Sequence, residues 1–182
     1  GTALATGVKT NNTYLGVLPD GTAVESLMEV AQREGMATGV VVTTYLQHAT
    51  PAAFYAHIPS RHGYAIISEQ LLDSKLDVAI GGGTRYFAKR KDGRNLIPEL
   101  EAQGYKVAYS LDEIKDMKEG RVVALCADQN LPMAHQNRGD FLPDATAKAL
   151  EILTANCKKA KKGFFMMIEG SQIDYAAHNT DA

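Results

Sequence analysis

Two carboxylates and an imidazole follow a strongly apolar stretch near the end of the chain. The stretch is Gly163–Ile168, and Glu169, Asp174 and His178 lie in the ten residues after it. A run of large apolar residues predicts a buried strand, and open α/β sheets gather their ligands at the carboxyl ends of strands. Asp174 and His178 are four residues apart, so a helix beginning near Ile173 would place both donors on one face. These residues predict part of a metal site; the alternative is a solvated helix start with an incidental histidine.

A second group of candidate ligands follows an earlier predicted strand. His48, Thr50 and Arg61 lie at the carboxyl end of that strand and along the short helix after it, at the same edge of the sheet as Glu169. A planar, always-charged guanidinium suits bidentate binding of phosphate, whereas a threonine oxygen with a carboxylate and waters suits a hard cation such as Mg²⁺. Each residue also has a structural alternative: Thr50 as a helix N-cap, Arg61 as a surface charge, and His57 as a packed histidine.

Helices and strands alternate along the chain and must position both groups. Apolar residues at helical spacing predict helices over Thr22–Gly35, from Thr50-Pro51 onward, and over Ile66–Leu72, Leu96–Gln103, Leu111–Met117 and Asp144–Cys157. Runs of β-branched and apolar residues predict strands over Thr38–Thr44, Leu76–Ile80, Lys106–Tyr109, Arg121–Cys126 and Phe164–Ile168. This alternation predicts one α/β domain over residues 1–182 with a mostly parallel sheet.

A glycine triplet, Gly81–Gly83, follows the second predicted strand. It lacks the lysine and the serine or threonine of a P-loop and the spacing of a dinucleotide-binding loop. We therefore expect a sharp turn, or a place where the backbone must approach another segment closely.

Composition narrows the class of protein. In 182 residues the chain is 45% hydrophobic and 22% charged, which is typical of a globular fold and excludes disordered and fibrous classes. A formal charge of −2 offers no basic face for nucleic acid, and Lys158–Lys162 is more simply a solvated helix end. No apolar stretch approaches the length of a membrane span. Cys126 and Cys157 lack metal-type spacing and leave the redox compartment open.

Taken together, the motifs resemble those of the alkaline phosphatases. The resemblance rests on Thr6–Thr10, Gln47–Arg61, Gly81–Gly83, Ala127–Pro132, and Glu169–Asp174 with His178, in the family's order and across nearly the whole chain. It implies a three-layer α/β sandwich. It also implies a metal-dependent phosphomonoesterase that passes through a phosphoserine and uses two Zn²⁺ ions and one Mg²⁺ ion.

The resemblance also implies roles for single residues. Arg61 matches the arginine that clamps two phosphate oxygens, Thr50 and Glu169 match ligands of magnesium, and Asp174 and His178 match two ligands of the first zinc ion. These expectations agree with the donor chemistry of the side chains.

Two further positions vary within the family. His48 stands beside the magnesium site, where some members have aspartate, so the metal that fills this place is open. Tyr175 lies near the phosphate and has no required chemical role.

The chain also departs from the family pattern. Gly1-Thr2 match only the last two positions of the nucleophile motif, so the serine would lie five residues before Thr2; Thr2 and Thr6 are not substitutes for it. The upstream aspartate and the later zinc ligands are missing too. We therefore expect an internal fragment of a larger alkaline phosphatase, inactive by itself, whose parent is exported to the periplasm or outside the cell and is often a dimer in this family.

Two alternatives remain open at this point. Phosphodiesterases, sulfatases and phosphomutases of the same superfamily share the sheet and the metal positions. A non-catalytic phosphate- or metal-binding domain would retain the same residues if the parent chain also lacked the serine.

Overall fold

The computed structural model describes residues 1–179 as a parallel sheet with helices on both faces. The strands are β1 (Ala37–Tyr45), β2 (Val78–Gly82), β3 (Tyr105–Ala108), β4 (Arg121–Leu125) and β5 (Phe164–Glu169). The helices are α1 (Thr2–Thr6), α2 (Leu27–Arg33), α3 (Ala49–Ala52), α4 (Tyr64–Asp73), α5 (Thr84–Ala88), α6 (Ile97–Ala102), α7 (Phe141–Ala160) and α8 (Gln172–His178). Short 3₁₀ turns occupy Asp112–Ile114 and Ala134–Gln136.

The strand order is β3-β4-β2-β1-β5, and all four strand pairs are parallel. The predicted α/β class is confirmed, and the sheet described is wholly rather than mostly parallel. Parallel neighbours need a crossover on a sheet face, which is why helices separate the strands along the sequence.

The sheet has an apolar core on each face. Successive residues of a strand point to opposite faces, so Val40 and Val42 of β1 pack on one side and Val41 on the other. The first side is covered by helices that include α2, α4 and α6, and the second mainly by the long α7. No helix in residues 1–179 combines the length and apolar character needed to cross a membrane.

The strand before Glu169 is less buried than predicted. β5 lies at an edge of the sheet in the described part of the chain, where it pairs with β1 alone, and Ile168 is 46% exposed. A run of apolar residues therefore identified the strand correctly but not its burial, because burial of an edge strand depends on what covers it.

Several helix boundaries differ from the predictions, and the starts of α2 and α7 and the Leu111–Met117 segment are the clearest cases. α2 begins at Leu27 rather than near Thr22, since Ser26 accepts from the amide of Glu29 and forms a capping box with that residue. α7 begins at Phe141 rather than at Asp144, because proline is tolerated in the first turn of a helix. Leu111–Met117 contains only the 3₁₀ turn rather than a full helix.

Candidate metal and phosphate site

The two predicted groups of ligands meet at one edge of the sheet. β1 and β5 are parallel neighbours, and Val42 is paired with Glu169 in their register. The segment after β1 carries His48 and Thr50, and the segment after β5 carries α8. Because parallel strands end at the same edge, the topology brings these residues together, as predicted.

His48 and Arg61 are in direct contact. An Arg61 guanidinium nitrogen, Nη2, lies 3.1 Å from Nε2 of His48. Guanidinium only donates hydrogen bonds, so Nε2 must accept, and the ring proton lies on Nδ1. Nδ1 is buried and has no hydrogen-bond partner among the described residues. The imidazole is therefore held neutral, with its remaining nitrogen turned into the protein.

The charges around His48 have opposite signs. Burial lowers the pKa of His48 below its usual range and the Arg61 charge lowers it further, whereas the charges of Glu169 and Asp174 raise it. One imidazole thus lies in the field of the predicted phosphate-binding arginine and of two predicted metal ligands. The rings of Tyr45 and Tyr175 complete its surroundings, with centroids 5.2 and 6.0 Å from that of His48.

Arg61 is anchored through its backbone as well. Its amide donates to the carbonyl of Thr13 over 2.8 Å, so the loop after α3 is tied to the N-terminal segment. Arg61 is half-buried and borders a cavity of about 320 Å³, which Lys9 and Thr10 also line. A half-buried guanidinium beside a polar cavity can present its remaining N–H groups to an anion.

Thr50 does not cap the helix. α3 begins at Ala49 and its N-cap is His48, so Thr50 lies in the first turn and Pro51 after it. The prediction of Thr50 as N-cap was wrong. His48 has an extended backbone and is itself the N-cap, so the helix begins at Ala49, two residues before the predicted start at Pro51. The Thr50 side chain is half-buried and is free of that capping role.

Glu169 ends β5 and bonds within its own turn. Its Oε2 accepts a hydrogen bond of 2.7 Å from the hydroxyl of Ser171. That bond orients the carboxylate before any cation is bound. An oriented carboxylate costs less entropy to engage a metal than a free side chain does.

Asp174 and His178 lie one turn apart on α8. Oδ1 of Asp174 is 3.6 Å from Nε2 of His178, and the side chains are 74% and 79% exposed. Metal–ligand bonds of about 2 Å would place two corners of a tetrahedral Zn²⁺ site about 3.3 Å apart. The pair therefore fits two corners of such a site. No cluster of three or more His, Cys, Asp and Glu side chains suited to a metal is found within residues 1–179.

Gln172 was not predicted, although it positions α8. Its side-chain amide donates to the carbonyls of Thr43 and Leu131 over 3.2 and 2.7 Å, and it is 7% exposed. This residue fastens the start of α8 to the end of β1. The only signal in the sequence is a glutamine close to a candidate ligand. Its partners could not be predicted, because they are backbone carbonyls of residues far away in the sequence.

The other polar candidates have structural partners. The hydroxyl of Thr2 donates to the carbonyl of Tyr14 over 2.8 Å, and that of Thr6 donates to the carbonyl of Thr2 over 2.8 Å. His57 lies between the carbonyl of Gly16 and the carboxylate of Glu29, at 2.7 and 2.8 Å. Its structural interpretation holds, although it lies after α3 rather than within the helix.

The glycine triplet provides both features expected of it. A Cβ on Gly82 would lie 1.8 Å from the carbonyl oxygen of Gln129, so only glycine permits this approach. Gly83 has a φ of 106° and is the N-cap of α5. The triplet is thus a close approach followed by a turn.

The fold and the site together define an α/β protein with a parallel sheet whose edge carries an arginine, carboxylates and histidines, side-chain types that suit phosphate and divalent cations. The family model described as Alkaline phosphatase matches residues 1–182. The chain therefore belongs to the alkaline phosphatase family.

Individual relatives agree. The chain is 43% identical to alkaline phosphatase 4 of Bacillus subtilis over 189 residues, which is 100% of this chain and 40% of that protein. The structure of alkaline phosphatase from the Antarctic bacterium TAB5 superposes with a TM-score of 0.92 at 37% identity, covering 99% of this chain and 52% of that one. A mutant of the TAB5 enzyme with aspartate in place of a histidine has magnesium bound in its M3 site. The chain thus spans about half the length of these relatives, or less.

Proposed function

We propose that the whole protein hydrolyses phosphomonoesters with the help of metal ions, and that the sheet edge around His48 binds the phosphate. The observation that carries this proposal is the contact of Arg61 with the half-buried His48 at the sheet edge that also bears Glu169 and Asp174, whose charges act on the same imidazole. Such a mixture of charges suits a phosphate dianion held between a guanidinium and bound cations.

Arg61 binds the phosphate in this proposal, and His48 positions Arg61. One guanidinium nitrogen is engaged by Nε2 of His48, which fixes the plane of the group and leaves its other N–H donors for two phosphate oxygens. Because Nε2 accepts from Arg61, we assign His48 a positioning role beside the magnesium site. Tyr175 packs beside the imidazole.

The carboxylates and Thr50 would hold the metals. Thr50 and Glu169 supply hard oxygen donors suited to Mg²⁺, and the Asp174–His178 pair supplies the oxygen and nitrogen that Zn²⁺ prefers. Bound cations supply charge that lowers the pKa of a hydroxyl or water and neutralises a leaving oxygen. In this proposal Arg61 orients the phosphate, and the pairs Thr50–Glu169 and Asp174–His178 bring the cations next to it.

Several further properties belong to the same proposal. The nucleophile would be a serine that precedes Gly1 in the whole protein, so we expect residues 1–182 alone to bind phosphate without turning over. Two zinc ligands are fewer than the three or four of tight sites, which weakens zinc in this chain by itself. We place the whole protein in the periplasm or outside the cell, acting on small phosphoesters.

The experiment compares the whole protein and residues 1–182 on a chromogenic phosphomonoester with added Zn²⁺ and Mg²⁺. We expect turnover by the whole protein only, and a loss on the order of a hundredfold in kcat/KM for Arg61→Ala, as for removal of other charge-stabilising donors. Arg33→Ala is the matched control, because Arg33 is exposed and paired with Glu25 on the N-terminal side of β1.

Three results would contradict the proposal. The first is turnover by residues 1–182 above that of their Arg61→Ala variant. The second is an unchanged rate in the whole protein carrying Arg61→Ala. The third is a faster rate on a phosphodiester or sulfate ester than on the monoester, which would favour another enzyme of the superfamily.

A further inference from the structure

A separate cavity lies beside the loop that carries Arg61. Its volume is about 550 Å³, and its wall is formed by Tyr64 of α4 and Tyr86 of α5. His62, the residue after Arg61, lines it as well. Ile66, which is 49% exposed, lies on its rim. The cavity is thus next to the proposed phosphate site but has a different lining.

The aromatic wall is a connected group of rings. The centroids of Tyr64 and Tyr86 are 4.7 Å apart, with their planes at 42°. The buried Tyr45 lies behind them, with its ring 5.5 and 5.2 Å from those two. Tyr45 is in turn 5.2 Å from the ring of His48. Two ring contacts therefore separate the cavity wall from the imidazole that positions Arg61.

The cavity is braced before any ligand enters. Arg90, whose side chain is 2% exposed, donates to the carbonyl of Ala65 over 2.8 Å and to Glu69 over 2.5 Å, and it also bonds Asp92. It thereby ties the segment after α5 to α4. The hydroxyl of Tyr86 accepts from Gln129 over 3.1 Å. A wall fixed in this way loses little entropy when it binds.

The rim of the cavity is basic. Arg85, Lys89 and Lys91 all line it, and so does Asp92, whose carboxylate is paired with Arg90. The carboxylate of Asp128 pairs with Arg85 and lies 3.7 Å from Lys89, whereas Lys91 has no ion-pair partner among residues 1–179. A positive rim favours ligands that carry negative charge or ring acceptors over plain hydrocarbon chains.

We propose that this cavity binds the planar ring of the substrate's alcohol group, and that nucleoside 5′-monophosphates are a preferred substrate class. The proposal rests on the proposed function for its phosphate half. The phosphate lies at Arg61, the ribose spans the distance to the cavity, and the base packs on Tyr64 and Tyr86. Aromatic faces bind bases of any sequence by stacking, and cationic side chains suit the acceptors on the base edge.

The first experiment measures binding to residues 1–182 without added metal, by equilibrium dialysis with AMP, adenosine and ribose 5-phosphate. We expect AMP to bind about tenfold or more tightly than ribose 5-phosphate, from the stacking of one base. Tyr86→Ala should remove that preference and Tyr86→Phe should keep it. Tyr109→Ala is the control, since Tyr109 is exposed and does not line the cavity.

A second variant guards against unfolding of Tyr86→Ala. Ala65 is exposed on the cavity wall, so Ala65→Trp fills the cavity from the surface and should also remove the preference for AMP. Equal binding of AMP and ribose 5-phosphate by the unmodified chain would overturn the proposal. So would a preference for AMP that survives in folded Ala65→Trp.

The two proposals fail in different ways. Arg61→Ala should weaken AMP and ribose 5-phosphate alike and leave adenosine unchanged. In the whole protein, Ala65→Trp should raise KM for AMP about tenfold while leaving kcat/KM for glycerol 3-phosphate unchanged. Absence of hydrolysis together with AMP-selective binding would refute the phosphatase proposal and retain the base site.

Discussion

Replacing His57 with alanine tests how the loop that carries Arg61 is held. The ring of His57 joins three segments, with Nδ1 at 2.7 Å from the carbonyl of Gly16 and Nε2 at 2.8 Å from Glu29 of α2. When the ring is protonated, both nitrogens donate, and one of the bonds joins opposite charges. His57→Ala removes both bonds at once.

The loss of unfolding free energy expected for His57→Ala follows from these two bonds. A neutral hydrogen bond contributes about 1 kcal/mol and one to a charged group about 1.5–3 kcal/mol. Because the Glu29 side chain is 34% exposed, solvent screening reduces the charged bond, and we expect a total of about 2 kcal/mol.

The pH dependence follows from the two pKa shifts. The hydrogen bond to Glu29 raises the pKa of His57 above 6.5, against the effect of burial. This stabilisation is complete below the unfolded value of about 6.5 and is lost as the pH rises through the higher folded value. Burial raises the pKa of Glu29, but the bonds from His57 and Ser26 outweigh it and hold that pKa below 4.5. The pair therefore contributes most between about pH 4.5 and 6.5.

The assay is urea unfolding at about pH 5.5 and pH 8.5. We expect His57→Ala to lower the free energy of unfolding by about 2 kcal/mol at the lower pH and by about 1 kcal/mol at the higher pH, where the neutral ring has a single N–H and keeps only one of the two bonds. His62→Ala, an exposed histidine, is the control and should change little. An equal loss of unfolding free energy at both pH values would refute the reasoning. So would a loss that depends on pH in the same way when His57→Ala is made in the Glu29→Gln variant.

Three other substitutions test the contacts that position the site. Gln172→Leu removes the bond to the carbonyl of Leu131 and a second bond to the carbonyl of Thr43, which still accepts from the amide of Leu131; it should cost about 2 kcal/mol in urea unfolding, and an unchanged midpoint would show that these bonds do not hold α8. Gly82→Ala drives a methyl group into the carbonyl of Gln129 and should cost more than about 2 kcal/mol, whereas Gly93→Ala, with open space around it, should cost about 1 kcal/mol by thermal unfolding. Ser26→Ala removes a capping box and a 2.6 Å bond to Phe54 and should cost about 2 kcal/mol; a loss below about 0.5 kcal/mol would contradict the assignment.

Much of the fold could be predicted because periodicity is a local property. β-branched runs located β1, β2 and β4, and the alternation of elements indicated a parallel sheet. The predicted helix boundaries were wrong where a capping residue or a proline sets the start of the helix. The N-cap at Ser26 depends on a reciprocal bond with Glu29, and α7 extends back through Pro143, so neither limit follows from apolar spacing.

The sequence predicted which edge of the sheet carries the site. Parallel strands end together, so Glu169 and His48 had to lie at the same edge of the sheet. That β1 and β5 are neighbours within it follows from the strand order, which was not predicted. The contact of His48 with Arg61 could not be predicted, because it depends on how the loop after α3 turns back. The same holds for Gln172, whose partners are carbonyls far away in the sequence.

The pairing of β1 with β5 has a consequence for how the protein folds. Residue 42 meets residue 169, so these neighbours in space are among the most distant partners along the described chain. Closing so long a loop is slow, and β2, β3 and β4 lie between the two strands in the sequence. The ligand edge therefore forms only when this long-range contact forms. Acquisition of Mg²⁺ affinity during refolding would then report this pairing, since a species without it lacks one half of the proposed Thr50–Glu169 site.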